Sequence, residues 1–62
     1  MKFQIGDLIH FTNINYKIYD DIGIILNIKK IDRLAGYAYQ TYFLREQKEY
    51  EVYEHEFEKI ND

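Results

Sequence analysis

The feature that most constrains the fold of this chain is the alternation of short β-type runs with turn signals. The runs are rich in Ile, Tyr and Phe, side chains that suit a pleated and half-buried surface. Each run ends in a short segment of glycine, charged or polar residues, as strands do where the chain turns. These segments are Gly6-Asp7, Asp20-Asp21, Arg33-Leu34-Ala35-Gly36 and Arg45-Glu46-Gln47-Lys48. The layout predicts an all-β fold, a small closed barrel.

We expect five strands and one turn of 3₁₀-helix. The alternation of apolar and polar residues predicts strands at residues 3–12, 21–32, 36–44, 48–54 and 58–61. Residues 12–20 include two asparagines and follow no strict period, which indicates a long loop over the mouth of the barrel. Residues 54–57 are too few for an α-helix and fit a single 3₁₀ turn. The fifth strand then closes the barrel beside the first.

Two hairpin loops predict the register of the central strands. A four-residue loop at 45–48 places Phe43 opposite Tyr50, and one at 33–36 places Leu26 opposite Phe43. Both loops put Phe43 on the inward face, and truncation of Leu26 to alanine is expected to cost about 2–5 kcal/mol. The predicted core consists of Ile5, Ile9, Phe11, Ile24, Leu26, Ile28, Thr41, Phe43, Tyr50, Val52, Phe57 and Ile60.

Length and composition limit what else the chain can be. Sixty-two residues build one domain, which we place at residues 1–62. There is no cysteine, so neither disulfides nor thiolate metal ligands can supplement the core. No apolar run approaches the roughly 18 residues of a membrane span, and the first four residues carry no signal-peptide core. We therefore expect a small protein without contact to a membrane.

Charge is distributed unevenly along the chain. Residues 1–31 carry four lysines against three aspartates, a net charge of +1. Residues 32–62 carry two arginines and two lysines against six glutamates and two aspartates, a net charge of −4. We interpret the glutamate-rich tail as a solvated strand face. An acidic half is a poor surface for phosphates, so nucleic-acid binding is the weaker alternative. Nucleic-acid binding is favoured by a modest basic patch, which Lys2, Lys17, Lys29 and Lys30 could form. Tyr16 and Tyr19 are interleaved with these lysines, a combination that single-strand binders use.

No residue pattern in the chain points to catalysis or to a cofactor. Serine and cysteine are absent, and there is no glycine-rich phosphate loop. A barrel of this size is filled by its own side chains, so no desolvated pocket is expected to activate a carboxylate. His10 and His55 stand at no metal-ligand spacing, and zinc needs three or four convergent ligands. We predict no enzyme, no cofactor and no metal.

The aromatic content is the strongest indication of binding. Seven tyrosines and four phenylalanines are many for this length, and aromatic side chains anchor interfaces as well as cores. We expect Tyr39, Phe43 and Tyr50 to pack inward. For the outward and loop residues, partner binding and ordinary surface packing both stay open. The predicted partner-binding residues are Tyr16, Tyr19, Tyr42, Leu44 and Tyr53.

Four segments of the chain carry a resemblance to a known family. They are GDLIHF at residues 6–11, GIIL at 23–26, YQTYFL at 39–44 and VYEHEFEKI at 52–60. The chain resembles the small SH3-like barrel proteins of tailed bacteriophages, in which a GDL(V/I)xF opening, a GI(V/I) second strand and a VYExELExI close recur. The chain has no tryptophan and no ALYDY segment, so recognition of proline-rich ligands is not expected.

The resemblance implies a five-stranded SH3-like barrel with a 3₁₀ turn before the last strand. It also implies a place in the virion, as a small structural adaptor or decoration protein at symmetric positions on a larger capsid, neck or tail protein. The alternative is a regulatory protein in the cytoplasm of the bacterial host, which binds transcription machinery or nucleic acid through the same barrel. Self-association is compatible with both roles.

Overall fold

Five strands form a single antiparallel sheet in the computed structural model, which describes residues 2–31 and 36–60. The strands are β1 (Leu8–Phe11), β2 (Ile22–Ile31), β3 (Gly36–Phe43), β4 (Lys48–Tyr53) and β5 (Phe57–Lys59), and a 3₁₀ turn (Glu54–Glu56) joins the last two. The all-β fold and the 3₁₀ turn before the last strand are confirmed. Within the described ranges, no helix has the length and apolar character needed to cross a membrane.

The order of the strands across the sheet is β4-β3-β2-β1-β5. β5 lies beside β1 as predicted, with Phe57 opposite Phe11. β4 and β5 are the two edges, and no ladder joins them among the residues that the structure describes. The sheet is open between these edges, so the predicted closure into a barrel is not confirmed.

β1 begins at Leu8 rather than at residue 3 because a tight turn precedes it. The backbone N–H of Asp7 donates to the carbonyl of Gln4 at 3.1 Å, and the Asp7 carboxylate accepts from the Gln4 N–H at 2.9 Å. Gly6 has a φ of +95°, which residues with side chains rarely adopt. Ile5 sits on this turn and is 63% exposed, so its predicted place in the core is wrong.

In the β3–β4 hairpin, the register of the two strands differs by two residues from the predicted register. Phe43 pairs with Lys48 rather than with Tyr50, because the loop comprises residues 44–47. The N–H of Gln47 closes this loop by donating to the carbonyl of Phe43 at 2.8 Å. A shift of two residues leaves every side chain on its predicted face. Phe43 is therefore buried, as predicted.

A bulge in β2 makes the predicted face wrong for the part of the strand before it, while Ile28, after the bulge, packs against the core as predicted. The register with β3 changes after Ile25, so the inward positions switch parity there. Ile25 is fully buried, whereas Leu26 is 43% exposed and Ile24 is only half-buried. Phe43 accordingly pairs with Gly23 and not with Leu26. Before the bulge, the residues that the sequence analysis assigned to the core, such as Ile24, therefore lie on the face of the sheet turned away from the core.

One hydrophobic core lies under the inner face of the sheet. Phe3, Tyr39 and Phe57 make three mutual edge contacts, with ring centroids 4.8 to 5.5 Å apart. Of the predicted core, six residues are confirmed as buried: Ile9, Phe11, Thr41, Phe43, Val52 and Phe57. Four more are only partly buried: Ile24, Ile28, Tyr50 and Ile60. The inward packing expected of Tyr39 is also confirmed, and the core contains four further residues that the prediction left out: Phe3, Ile18, Ile25 and Ala38.

Candidate functional site

Three segments of the chain meet in a groove beside the 3₁₀ turn. The β1–β2 connection contributes one side, the adjoining ends of β2 and β3 a second, and the 3₁₀ turn with the end of β4 a third. The groove has a volume of about 470 Å³, within the range of ligand-binding clefts. We call it the tyrosine groove. It is lined by Tyr16, Ile31, Gly36, Tyr37, Tyr53, Glu54, His55 and Glu56.

Glu56 joins two walls of the tyrosine groove. Its carboxylate accepts from the Tyr53 N–H at 3.1 Å and from the side-chain amide of Asn13 at 3.3 Å. Its carbonyl accepts from the Thr12 N–H at 2.8 Å. The 3₁₀ turn is thereby tied to the start of the β1–β2 connection. Glu56 is 6% exposed, so the interpretation of the glutamate-rich tail as a solvated strand face is wrong at this residue.

The carboxylate of Glu54 is held in place by a hydrogen bond from the buried side chain of Tyr39. The hydroxyl of Tyr39 donates to Oε2 of Glu54 at 2.5 Å. Burial of Tyr39, together with the hydrogen bond to Glu54, raises the pKa of the phenol far above its ordinary value. The phenol therefore stays protonated and keeps donating. Glu54 itself is exposed, so its negative charge is held in one place and faces solvent.

The rings of Tyr53 and Tyr16 in the tyrosine groove are also held in defined orientations. The ring of Tyr53 stacks on that of His55, with an angle of 9° between the planes and 6.4 Å between the centroids. The Tyr53 hydroxyl donates to Glu51 at 2.8 Å, and this hydrogen bond raises the pKa of Tyr53. Tyr16 packs edge-on against Phe11, with centroids 5.9 Å apart.

The arrangement suits a cationic side chain on an otherwise apolar segment. Aromatic faces attract guanidinium and ammonium groups, and Glu54 adds a negative charge at the same place. Tyrosine offers a large contact area with little conformational entropy to lose, because it has only two side-chain torsions.

The structure separates the five predicted partner-binding residues. Tyr16 and Tyr53 line the tyrosine groove. Tyr42 belongs to the face of the sheet turned away from the core, and Leu44 follows β3 on the same side. Tyr19 is 44% exposed in the β1–β2 connection and is not a lining residue of the groove. The five residues therefore do not make one surface.

The two-residue shift of the β3–β4 hairpin explains why Tyr53 lies apart from Tyr42. In the predicted register Tyr53 lies opposite Gln40 and close to Tyr42. In the structure Tyr53 lies opposite Ala38, two residues nearer the end of the sheet where β2 and β3 meet. That displacement brings Tyr53 into the tyrosine groove and away from Tyr42.

Sequence analysis missed Tyr37, Glu54 and His55 as lining residues. One signal was present, because the 3₁₀ turn was predicted directly after the strand that ends near Tyr53. Residues on a one-turn helix point in several directions, so they cannot all belong to one solvated strand face. Tyr37 was missed because its position depends on the register between β2 and β3, and the observed register differs from the predicted one.

The two histidines lie in different surroundings. Nε2 of His10 is 2.6 Å from Oδ1 of Asp20, and neither residue lines the tyrosine groove. His55 stacks on Tyr53 in the tyrosine groove. Among the described residues no three or more His, Cys, Asp or Glu side chains come together as a metal-binding group.

The lysines of the predicted basic patch have different neighbours. Nζ of Lys17 is 3.6 Å from a carboxylate oxygen of Glu46 in the β3–β4 loop. Lys29 shares a small cleft with Glu51 on the sheet. Each of these two lysines thus lies near a carboxylate, which weakens the attraction for phosphate.

No protein-family model, curated protein or solved structure matches the chain. The tyrosine groove is therefore interpreted from its own chemistry.

Proposed function

We propose that this chain is a non-enzymatic protein-interaction module that holds an extended basic segment of a partner protein in the tyrosine groove. The observation that carries the proposal is the convergence of Tyr16, Tyr37 and Tyr53 around the exposed carboxylate of Glu54. The rings cover the aliphatic stem of an arginine or lysine, and the carboxylate accepts its charged end.

The groove is organised before any partner arrives. Tyr39 already holds Glu54, and Glu56 already joins the 3₁₀ turn to Asn13. Binding therefore does not have to order these groups, which lowers its entropic cost. The net charge of −3 on the chain also draws in a basic segment and raises the association rate.

We further propose an SH3-like arrangement as the fold that presents this groove. Such a barrel has a long connection after its first strand, short steps between the next strands and a 3₁₀ turn before the last. The connection at residues 12–21 and the turn Glu54–Glu56 support this assignment, as does the pairing of the last strand with the first. The groove lies between that connection and that turn.

In the setting that the sequence resemblance implies, the module is an adaptor or decoration protein of a tailed-phage particle. Its partner is a capsid, neck or tail protein that offers the same basic segment at symmetric positions. The support for this setting is the resemblance at residues 6–11, 23–26, 39–44 and 52–60. The absence of tryptophan from the chain favours selection of the segment by charge rather than by proline.

Selection from a display library of random linear peptides tests the groove. We expect enrichment of arginine or lysine beside apolar residues. Calorimetric titration of one enriched peptide is expected to give about tenfold weaker binding for Tyr16→Ala and for Glu54→Gln. Tyr19→Ala is the matched control, because Tyr19 is exposed in the same connection but does not line the groove. Equal affinity of Tyr16→Ala and the wild type would contradict the proposal.

Mass spectrometry of purified virions tests the proposed setting. Many copies of the chain per particle are expected, together with a crosslink from a groove residue to a basic segment of a structural protein. Recovery of the chain on host RNA polymerase or nucleic acid, with none in virions, would instead support the regulatory alternative. Peptide binding in the groove is independent of that outcome.

A further inference from the structure

A second, smaller cavity adjoins the tyrosine groove, between β4 and the β1–β2 connection. Its volume is about 90 Å³. The end of β4 forms one wall and the connection forms the other, with Phe11 of β1 between them. β4 is an edge strand, so no further strand fills the space beside it in the part of the chain that the structure describes. We call this cavity the side pocket.

The inner lining of the side pocket belongs to the hydrophobic core. Phe11, Ile18 and Val52 line the pocket and are only 1%, 3% and 2% exposed. All three are members of the buried apolar cluster under the sheet. Their side chains offer no hydrogen bond to a water molecule, which needs two to four polar partners to stay bound. The lining therefore selects an apolar group.

The polar groups at the side pocket are already engaged within the chain. Both carboxylate oxygens of Glu56 accept hydrogen bonds, Oε1 from the Tyr53 N–H and Oε2 from the side-chain amide of Asn13. The Tyr53 hydroxyl donates to Glu51. Among the described residues, no buried side-chain nitrogen or oxygen lacks a partner. Water in the pocket is therefore poorly held, and an apolar group that displaces it gains affinity.

The side pocket and the tyrosine groove meet at the same side chains. Tyr16, Tyr53 and Glu56 line both cavities. Carbon atoms in contact with an aromatic face lie about 3.5–4 Å from it, so groups on opposite faces of one ring are about 7–8 Å apart. In an extended segment, side chains two residues apart lie on the same side with a spacing of about 6.7 Å. Such a segment can therefore place one side chain in each cavity.

We propose that the side pocket binds an aliphatic side chain of the same partner segment whose basic residue occupies the tyrosine groove. The inference rests on the proposed function of the groove and adds a second recognition element to it. A volume of about 90 Å³ has room for about three groups the size of a water molecule. Valine, leucine or isoleucine fits such a space, whereas an aromatic ring does not. The recognised motif is a basic and an aliphatic residue separated by one residue.

Calorimetric titration of peptides enriched from the random linear library tests the side pocket. Glu54→Gln identifies the peptides that use the tyrosine groove, because Glu54 lines the groove and not the side pocket. In such a peptide, replacement by alanine of the aliphatic residue two positions from the basic residue, on one side of it, is expected to weaken binding about tenfold. Replacement of the residue between them, which faces away, is expected to change the affinity less than about twofold.

A variant that narrows the side pocket gives the matching result on the protein side. Val52→Ile adds one methylene group to the lining and is expected to weaken binding of the aliphatic peptide about fivefold. It is expected to leave the affinity of the alanine-substituted peptide unchanged. Ile25→Val is the matched control, because Ile25 is also buried in the core but lines neither cavity. It is expected to change neither affinity.

Nuclear Overhauser contacts locate the aliphatic side chain in the wild-type complex, without any variant. Contacts from its methyl groups to those of Ile18 and Val52 are expected. Their absence, or equal affinities of the aliphatic and alanine-substituted peptides, would overturn the side pocket while the tyrosine groove stands. If no enriched peptide depends on Glu54, the proposed function of the groove fails, and the side pocket fails with it.

Discussion

The buried carboxylate of Asp21 accepts a hydrogen bond from the backbone N–H of Arg45, which lies 24 residues later in the chain, at 3.0 Å. The same carboxylate accepts from the N–H of Glu46 at 3.0 Å and from that of Ile22 at 2.7 Å. One side chain, 3% exposed, therefore ties the β3–β4 loop to the start of β2. The sequence analysis placed Asp21 in a turn signal and at the start of the second strand, and gave it no contact with the β3–β4 loop.

Replacement of Asp21 is expected to destabilise the fold strongly. Asp21→Ala leaves three backbone donors without their acceptor, at an expected cost of about 2–4 kcal/mol in the free energy of unfolding. Asp21→Asn keeps one carbonyl oxygen and is expected to cost less than the alanine variant. Urea denaturation measures both. Glu58→Ala, at an exposed carboxylate, is the control, with an expected change within about 0.5 kcal/mol. An Asp21→Ala variant as stable as this control would show that the loop is not held in this way.

The burial of Tyr39 and its hydrogen bond to Glu54 predict a loss of stability at alkaline pH. The pKa of Tyr39 is raised in the folded state, so above about pH 10 the unfolded chain ionises this phenol while the folded chain keeps its proton. The contribution is complete below that pH and falls as the pH rises through it. Tyr39→Phe lacks the titrating group, so its free energy of unfolding is expected to decline less steeply.

Urea denaturation of both proteins between about pH 8 and pH 11 measures the difference. At neutral pH Tyr39→Phe is expected to be less stable by about 1–2 kcal/mol, because the hydrogen bond to Glu54 is lost. The gap between the two proteins should narrow above about pH 10. Parallel curves over the whole range would show that Tyr39 ionises no later in the folded chain than in the unfolded one.

Gly23 and Gly6 are expected to resist substitution for different reasons. A Cβ at Gly23 would lie 2.5 Å from Cγ2 of Thr41 and 2.8 Å from the ring of Phe43, so Gly23→Ala overpacks the core at an expected cost of about 1–3 kcal/mol. Gly6→Ala meets no atom within 4 Å and is strained only by its φ of +95°, at about 1 kcal/mol.

A double-mutant cycle separates the two causes. Thr41→Ser removes the methyl group nearest to the new Cβ, so the cost of Gly23→Ala should be smaller in that background. The cost of Gly6→Ala should be the same in both backgrounds. Thermal unfolding measures all the variants. A cost of Gly23→Ala that does not depend on Thr41 would place the crowding at the ring of Phe43 rather than at Thr41.

The sequence predicts the faces of β3 and β4 but not that of β2, and the reason is physical. The β3–β4 loop lies one residue earlier than predicted, which shifts the register of the two strands by two residues and preserves the face of Phe43. In β2, apolar residues occupy both parities from Ile22 to Leu26, so the pattern contains no period from which a bulge can be located. One extra residue there moves Ile24 from the predicted core to the face of the sheet that is turned away from the core.

The tyrosine groove was predictable only in part. Tyr16 and Tyr53 are recognisable as candidates because they are aromatic residues outside the predicted core. Their convergence depends on contacts between distant parts of the chain, such as the bond between Thr12 and Glu56, 44 residues apart. No local pattern in the sequence encodes such a contact, and the resemblance to phage proteins concerns segments rather than side-chain geometry.

A comparison of two neighbouring residues tests the bulge directly. Ile25 is fully buried and Leu26 is 43% exposed. Ile25→Ala is therefore expected to cost about 2–5 kcal/mol, and Leu26→Ala less than about 1 kcal/mol, the reverse of what the alternation of β2 predicts. Urea denaturation measures both variants. A larger loss for Leu26→Ala than for Ile25→Ala would place Leu26 in the core and remove the bulge, and with it the outward position of Ile24.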